Sequence, residues 1–406
     1  MPSPTRTLTA RTARSLIDDS SWAPSSGRRV GVEIEWFTTP SASPPDVATL
    51  RELLEPSLPL PGGSSLTFEP GGQVELSSLP FDWCGEACVA VGADRTAVED
   101  VLRPHGIGLR AAGIDPDRPE ALVTTQDRYV AMKTYFDGHG SAGRRMMCTS
   151  AAIHTNIDAG RDDVGRRRWD LAHRLGPVLV AAFANSPIAA GRPTGWKSSR
   201  MAAWMAIDPT RTRAVPDGAD PVEAWASYAL HANVMFIRTP DSYVPLSYSF
   251  PFARWIAEGH ELGYPTPDDL TYHLTTLFPP VRPHGWLELR MMDMQPDPWW
   301  RVAAAVTMAL LYDDDAADAA SVATETSAGM WREAAHSGLS NPVLAEAARV
   351  CFGAAAGSLP RIGSDRSTAE AVGDYIERYV ARGRCPADDR LDALRRQPAT
   401  QVAEAI

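Results

Sequence analysis

The stretch Val30-Gly31-Val32-Glu33-Ile34-Glu35-Trp36-Phe37 constrains this chain more than any other. Apolar residues at 30, 32, 34 and 36 alternate with the rest, which is the period of a β-strand. Glu33 and Glu35 therefore share a face, ~7 Å apart along the strand. Two carboxylates on one sheet face repel each other unless a cation sits between them. Residues 66–77 repeat the theme, with Pro70-Gly71-Gly72 as the turn of a hairpin, Glu69 on one arm and Glu75 on the other. Four glutamates on adjacent strands suit a hard divalent ion such as Mg²⁺, which takes oxygen ligands.

Charge and cysteine content narrow the setting. A formal net charge of −11 argues against nucleic acid or an anionic membrane as partner. The five cysteines show no zinc spacing, and Cys84 and Cys88, one helical turn apart, read as ordinary buried thiols. The first residues are polar, with Arg6, Arg11 and Arg14 and no apolar signal core. No apolar run approaches the ~20 residues that span a bilayer. The expectation is a reduced, cytoplasmic enzyme. Its 406 residues can form one large catalytic domain, 1–406, with a helical C-terminal part from about residue 313.

Periodicity places the elements. A short helix (about 8–19) and a Ser/Pro linker precede the first strand, and 38–64 reads as an excursion with one helical stretch near Val47–Leu54. Helices are expected at 81–103, 166–184, 267–277 and 298–312, and strands at 105–113, 149–158, 232–238 and 286–294. Residues 127–148, with glycines at 138, 140 and 143, and residues 186–213 read as basic loops. Early hairpin pairing and strands separated by helices predict an α+β fold on a mainly antiparallel sheet, with one face as an active-site floor.

Several polar groups fall on those elements. His154, Asn156 and Asp158 share one strand face, and Glu288 and Arg290 another. A solvated face and a surface salt bridge are the plainer accounts. The alternative is an extended metal or nucleotide site, with an arginine gripping an anion in bidentate fashion. The loops add Arg128, Lys133, Arg144 and Arg145, then Arg192, Lys197, Arg200, Arg211 and Arg213. Lys133 and Lys197 are the only lysines, and both fall in these stretches. There is no P-loop, dinucleotide turn or G-x-S-x-G. Basic loops beside a carboxylate cage are what handling a nucleoside triphosphate with Mg²⁺ requires.

In ordered blocks the chain resembles the glutamate–cysteine ligases of the plant-type branch, in the shorter actinobacterial form associated with ergothioneine synthesis. The blocks are Gly31 to Glu35, Phe68 to Ser77, Arg128-Tyr129 with Met132-Lys133, Met146-Met147 with Thr149, and Asn156-Ile157-Asp158. Phe183 to Pro187, Gly195 to Arg200, Asp208 with Arg211-Thr212, His273 to Pro279 and Leu287 to Arg290 follow. The resemblance implies a glutamine-synthetase-like fold, in which a curved antiparallel sheet forms a funnel flanked by helices. It implies Glu33, Glu35, Glu69, Glu75 and Glu288 as Mg²⁺ ligands, with His154 matching a metal-site histidine of more distant relatives. Glu33 and Arg290 would serve catalysis, Arg290 contacting the reacting phosphate or glutamate. Lys133, Asn156, Lys197, Arg200, Arg211 and Arg290 would bind substrate or ATP. The plant enzymes' regulatory disulfides have no matching cysteines here.

The implied reaction joins the γ-carboxylate of L-glutamate to the amine of L-cysteine, with ATP as co-substrate and γ-glutamyl phosphate as intermediate. Three alternatives remain at this level: a carboxylate–amine ligase for another amine, a phosphotransferase of the guanidino-kinase type, and a non-catalytic metal- or nucleotide-binding protein.

Overall fold

The alternating stretch forms β1, Val30–Thr39, at the middle of a sheet. The computed structural model describes residues 8–22, 27–40, 44–160, 162–215 and 220–396. Residues 1–7, Arg6 among them, and part of the Ser/Pro linker expected before β1 lie outside these. Six further strands complete the sheet: β2 Ser65–Phe68, β3 Val74–Ser77, β4 Gly108–Arg110, β5 Ala152–Ile157, β6 Val281–Pro283 and β7 Leu287–Asp293. Their order is β6-β7-β5-β1-β3-β2, with β4 paired to the far end of β1. Every pairing is antiparallel, as the sequence predicts.

The two faces divide by polarity. Val32, Ile34, Val74, Leu76, Ile153, Leu287 and Leu289 are fully buried. Helices Cys84–Leu102, Asp162–Ala182 and Trp299–Tyr312 pack against this sheet. The opposite face carries Glu33, Glu35 and His154 and floors a cleft of about 380 Å³. One continuous hydrophobic core runs from Leu8 to Val380. Past Tyr312 the described elements are helical, from Asp314–Ala323 to Pro386–Arg396.

Two stretches read as loops contain helices. Residues 127–148 form α1, Asp127–Asp137, and α2, Ala142–Thr149. Their glycines are not signs of irregularity. Gly140 takes a positive φ in the turn between the helices, and Gly143 lets α2 close on Phe136, where a Cβ would collide. Residues 186–213 contain α3, Ser199–Met205, capped by Ser198, and a short turn of helix capped by Asp208. The two helices and α3 supply cleft-lining residues opposite the sheet.

Candidate active site

Register brings the acids together. On β1 and β5, Glu33 stands opposite His154, and on β1 and β3, Glu35 stands opposite Glu75. Glu288 on β7 pairs with Asn156 on one side and Arg282 on the other. Glu69 closes the hairpin turn, accepting the Gly72 N–H at 2.8 Å and donating its own N–H to the Gln73 carbonyl at 2.9 Å. All five glutamates and His154 line the cleft, so the carboxylates expected to converge do so.

They form two groups. In the first, ligand atoms of Glu33, His154 and Glu288 lie within 4.8 Å of one another. His154 Nδ1 is 3.0 Å from Glu33 Oε2 and 3.6 Å from Glu288 Oε1, and Asn156 Nδ2 donates to Glu33 Oε1 at 2.9 Å. Burial pushes Glu33 up, but its bonds to His154 hold it below the ordinary carboxylate value. Glu288 is depressed further: burial opposes this, and Arg282 (2.6 Å) and Arg290 (2.5 Å) outweigh it. In the second group, burial raises Glu35, with Glu75 adding repulsion, and Glu35 Oε2 accepts the Ala152 N–H at 2.8 Å. Glu69 is raised well above the usual range by burial and by Glu75 and Glu35. Buried acids that repel one another in this way are what a divalent cation relieves.

Unpartnered atoms give a second measure of fit. His154 Nε2 is buried without a hydrogen-bond partner and lies 4.0 Å from Glu35 Oε1. The Nε atoms of Arg128, Arg200 and Arg290 are likewise buried and unpartnered, and all three residues line the cleft. An unpartnered imidazole nitrogen among carboxylates fits a cation such as Mg²⁺, and free guanidinium donors around it fit anionic oxygens.

A bulge aims Arg290. Leu289 pairs with Thr155 and Met292 with Ile153, so β7 has one residue more than β5 between these pairs. Arg290 stays on the cleft face with Glu288, while Met292 is fully buried with its sulfur 3.9 Å from the Thr307 hydroxyl of helix Trp299–Tyr312.

The remaining expected residues divide. Arg200 is buried in the cleft wall beneath Arg290, donating to its carbonyl at 2.9 Å. Asn156 orients Glu33 rather than lining the cleft. Three residues expected to meet substrate stand elsewhere in this structure. Lys133 does not line the cleft with Arg128, Tyr129 and Met132 of its own helix and bonds Asp137 at 2.7 Å. Lys197 pairs with Asp388. Arg211 is fully buried, joining Asp208 (2.9 Å), the Thr276 carbonyl (2.7 Å) and the Asn233 carbonyl. Arg282 went unnoticed because its three-residue strand is too short to show a period. Arg128 stands in the sequence among the loop cations and in a matching block with no role attached, and its place early in α1 was the missing signal.

The family profile described as "Glutamate-cysteine ligase family 2(GCS2)" matches residues 29–405. The chain is 41% identical to glutamate–cysteine ligase EgtA of Mycolicibacterium smegmatis, across 93% of this chain and 89% of that protein. It is 32% identical to the chloroplastic glutamate–cysteine ligase of Arabidopsis thaliana, across 64% of this chain and 51% of the plant protein. Among solved structures, a glutamate–cysteine ligase from Francisella tularensis in complex with AMP superposes with a TM-score of 0.55 at 13% identity, covering 94% of this chain and 87% of that one. A bifunctional glutathione synthetase from Pasteurella multocida gives 0.53 at 15% identity, covering 95% of this chain and 51% of that one. These two likenesses establish the fold, and the profile and sequence matches establish that the chain belongs to the glutamate–cysteine ligase family.

Proposed function

We propose that this protein joins the γ-carboxylate of L-glutamate to the amine of L-cysteine at the expense of ATP. The carrying observation is the pairing of opposites in one cleft. A buried, unpartnered imidazole nitrogen among repelling carboxylates meets three arginines with unused donors.

The carboxylate is a poor electrophile, so it is activated first. A γ-carboxylate oxygen takes the terminal phosphoryl group of ATP and ADP leaves. The cysteine nitrogen then attacks the acyl carbon, phosphate departs, and the nitrogen gives up a proton. Mg²⁺ held by Glu33, His154 and Glu288, and by Glu35, Glu69 and Glu75, would neutralise phosphate charge. Arg290, gripped on one side by Glu288, keeps its Nε for an oxygen of the transferred group. Arg282 locks Glu288 from behind, and Arg128 offers an anion contact from the opposite wall. Met132, Met146, Met147 and Phe278 make that wall apolar, which shields an acyl phosphate from water.

The family's actinobacterial members suggest that the product feeds ergothioneine synthesis. All five cysteines are free and buried, which supports a reducing, cytoplasmic setting. No described helix is long and apolar enough to cross a membrane. The continuous core supports one catalytic domain.

A coupled assay of ADP release tests the reading. Release should require glutamate and Mg²⁺ and be stimulated by cysteine more than by α-aminobutyrate or other amines. Stimulation by a different amine alone would keep the activation chemistry and replace the acceptor. A stable phosphorylated product without an amide would mark a phosphotransferase.

A further inference from the structure

The helix Pro386–Arg396 lines none of the cleft, yet it is tied to the segment that carries Arg200. The Ala387 N–H donates to the Ala184 carbonyl at 2.9 Å. Arg390 Nε donates to Asn185 Oδ1 at 2.5 Å, and its Nη2 donates to the Ala111 carbonyl. Asp388 pairs with Lys197 at the other end of the same segment. Between these ties the chain wraps Asp293, the last residue of β7 and fully buried. Asp293 accepts from the Asn185 N–H at 2.8 Å, the Ser186 hydroxyl at 2.6 Å and the Ser198 hydroxyl at 2.9 Å. Those hydroxyls in turn accept the Arg200 and Met201 N–H groups at 3.2 Å each, fixing the first turn of α3. Arg200 then reaches the Arg290 carbonyl at 2.9 Å. Hydrogen bonds thus run from Arg390 through Asn185 and Asp293 to Arg200, and the Lys197–Asp388 ion pair closes the far end of the segment.

We infer that Arg390 and Asp388 are positioning residues. The helix clasps residues 184–200 around Asp293 and thereby sets where Arg200 and Arg290 stand in the cleft. This rests on the reading of the cleft as the site where glutamate meets ATP. A displacement of about 1 Å at a reacting group costs up to about a hundredfold in rate, so a tie this remote can matter.

Full-length Arg390→Ala and Asp388→Asn test the clasp, with Arg395→Ala as control, since Arg395 is exposed and among the described residues bonds only Asp392 on its own helix. Two readouts are taken: ADP-release kinetics with glutamate varied, and hydrogen exchange. The expectation for Arg390→Ala is a roughly tenfold rise in KM for glutamate, with faster exchange confined to 184–200 and 287–293. Arg395→Ala should match wild type. Wild-type constants and exchange in Arg390→Ala would overturn the clasp, as would faster exchange spread evenly over the protein. If Arg390→Ala does not fold, the same two readouts on Asp388→Asn decide. A wild-type enzyme that releases no ADP would defeat the functional reading instead, and exchange alone would then decide the clasp.

Discussion

Glu288 holds two guanidinium groups, and the division of their donors separates their tasks. Arg282 gives Nε to Glu288 and Nη1 to the Leu277 carbonyl at 3.2 Å. Arg290 gives Nη1 to Glu288 and keeps a buried, free Nε. Arg290→Lys keeps the charge but loses the planar fork, so kcat for ADP release should fall on the order of 10²–10³-fold with an unchanged circular dichroism spectrum. Normal turnover would remove Arg290 from the chemistry. Glu69 gives a test by charge. Its folded pKa is raised by burial and by Glu75 and Glu35, so the folded state binds its proton more tightly than the unfolded chain does. Without metal, stability from the protonated form is complete below the unfolded value, and it is lost as pH rises through the folded one. Glu69→Gln should therefore raise Tm of the metal-free protein at neutral pH, by an amount that shrinks toward pH 4.5. A gain independent of pH would contradict this origin. Alternation put Glu33 with Glu35, and Glu288 with Arg290, on a common face, because period two fixes which face a side chain takes; the hairpin turn added Glu69 and Glu75, and the full ligand set with His154 came only from the family resemblance. Lys133 and Lys197 show its limit: membership of a basic stretch does not say where a side chain points, and each is satisfied by a nearby aspartate.

The hairpin and the bulge act at the scale of elements. The Pro70-Gly71-Gly72 tip presses against the end of α2, where a Cβ on Gly71 would collide with the Cys148 carbonyl. Gly72 takes a positive φ that favours glycine. Gly71→Ala should therefore displace Glu69 from Glu75, lowering Tm and weakening Mg²⁺-dependent ATP turnover together. Loss of Tm with normal turnover would show that the tip is merely structural. The turn was readable from its residues, since Pro-Gly-Gly between two apolar arms has few other uses. The extra residue in β7 was not. A bulge depends on pairing with β5, which a single strand's pattern does not contain. The helices at 127–137 and 142–149 were hidden for a related reason, because a helix lining a cleft mixes polar and apolar residues on its inner face.

At the scale of the molecule, the sheet presents its acids in register because the helices behind it are locked into one core. His273 is part of that lock. Its Nε2 donates to the Ala229 carbonyl at 2.9 Å, and its ring lies 4.7 Å from Phe252. Burial and then Arg211 push its pKa down to about 3, from 6.5. The stability this neutral histidine supplies is complete above pH 6.5 and is lost progressively as pH falls toward about 3. Wild type should lose up to about 1.4 kcal/mol per pH unit in that window from this group. His273→Gln, which can still donate to Ala229, should show a shallower acid limb; an identical limb would place acid sensitivity elsewhere. The antiparallel sheet and its acidic floor were predictable from the sequence, whereas the tie from Arg390 to Asn185 spans 205 positions and leaves no local pattern. The central claim is that one cleft transfers a phosphoryl group to glutamate before the amine arrives, and glutamate labelled with ¹⁸O in its γ-carboxylate tests this directly. Mass spectrometry of the inorganic phosphate formed with cysteine and Mg-ATP should find one ¹⁸O carried over per product. Phosphate free of label, with amide still formed, would contradict it.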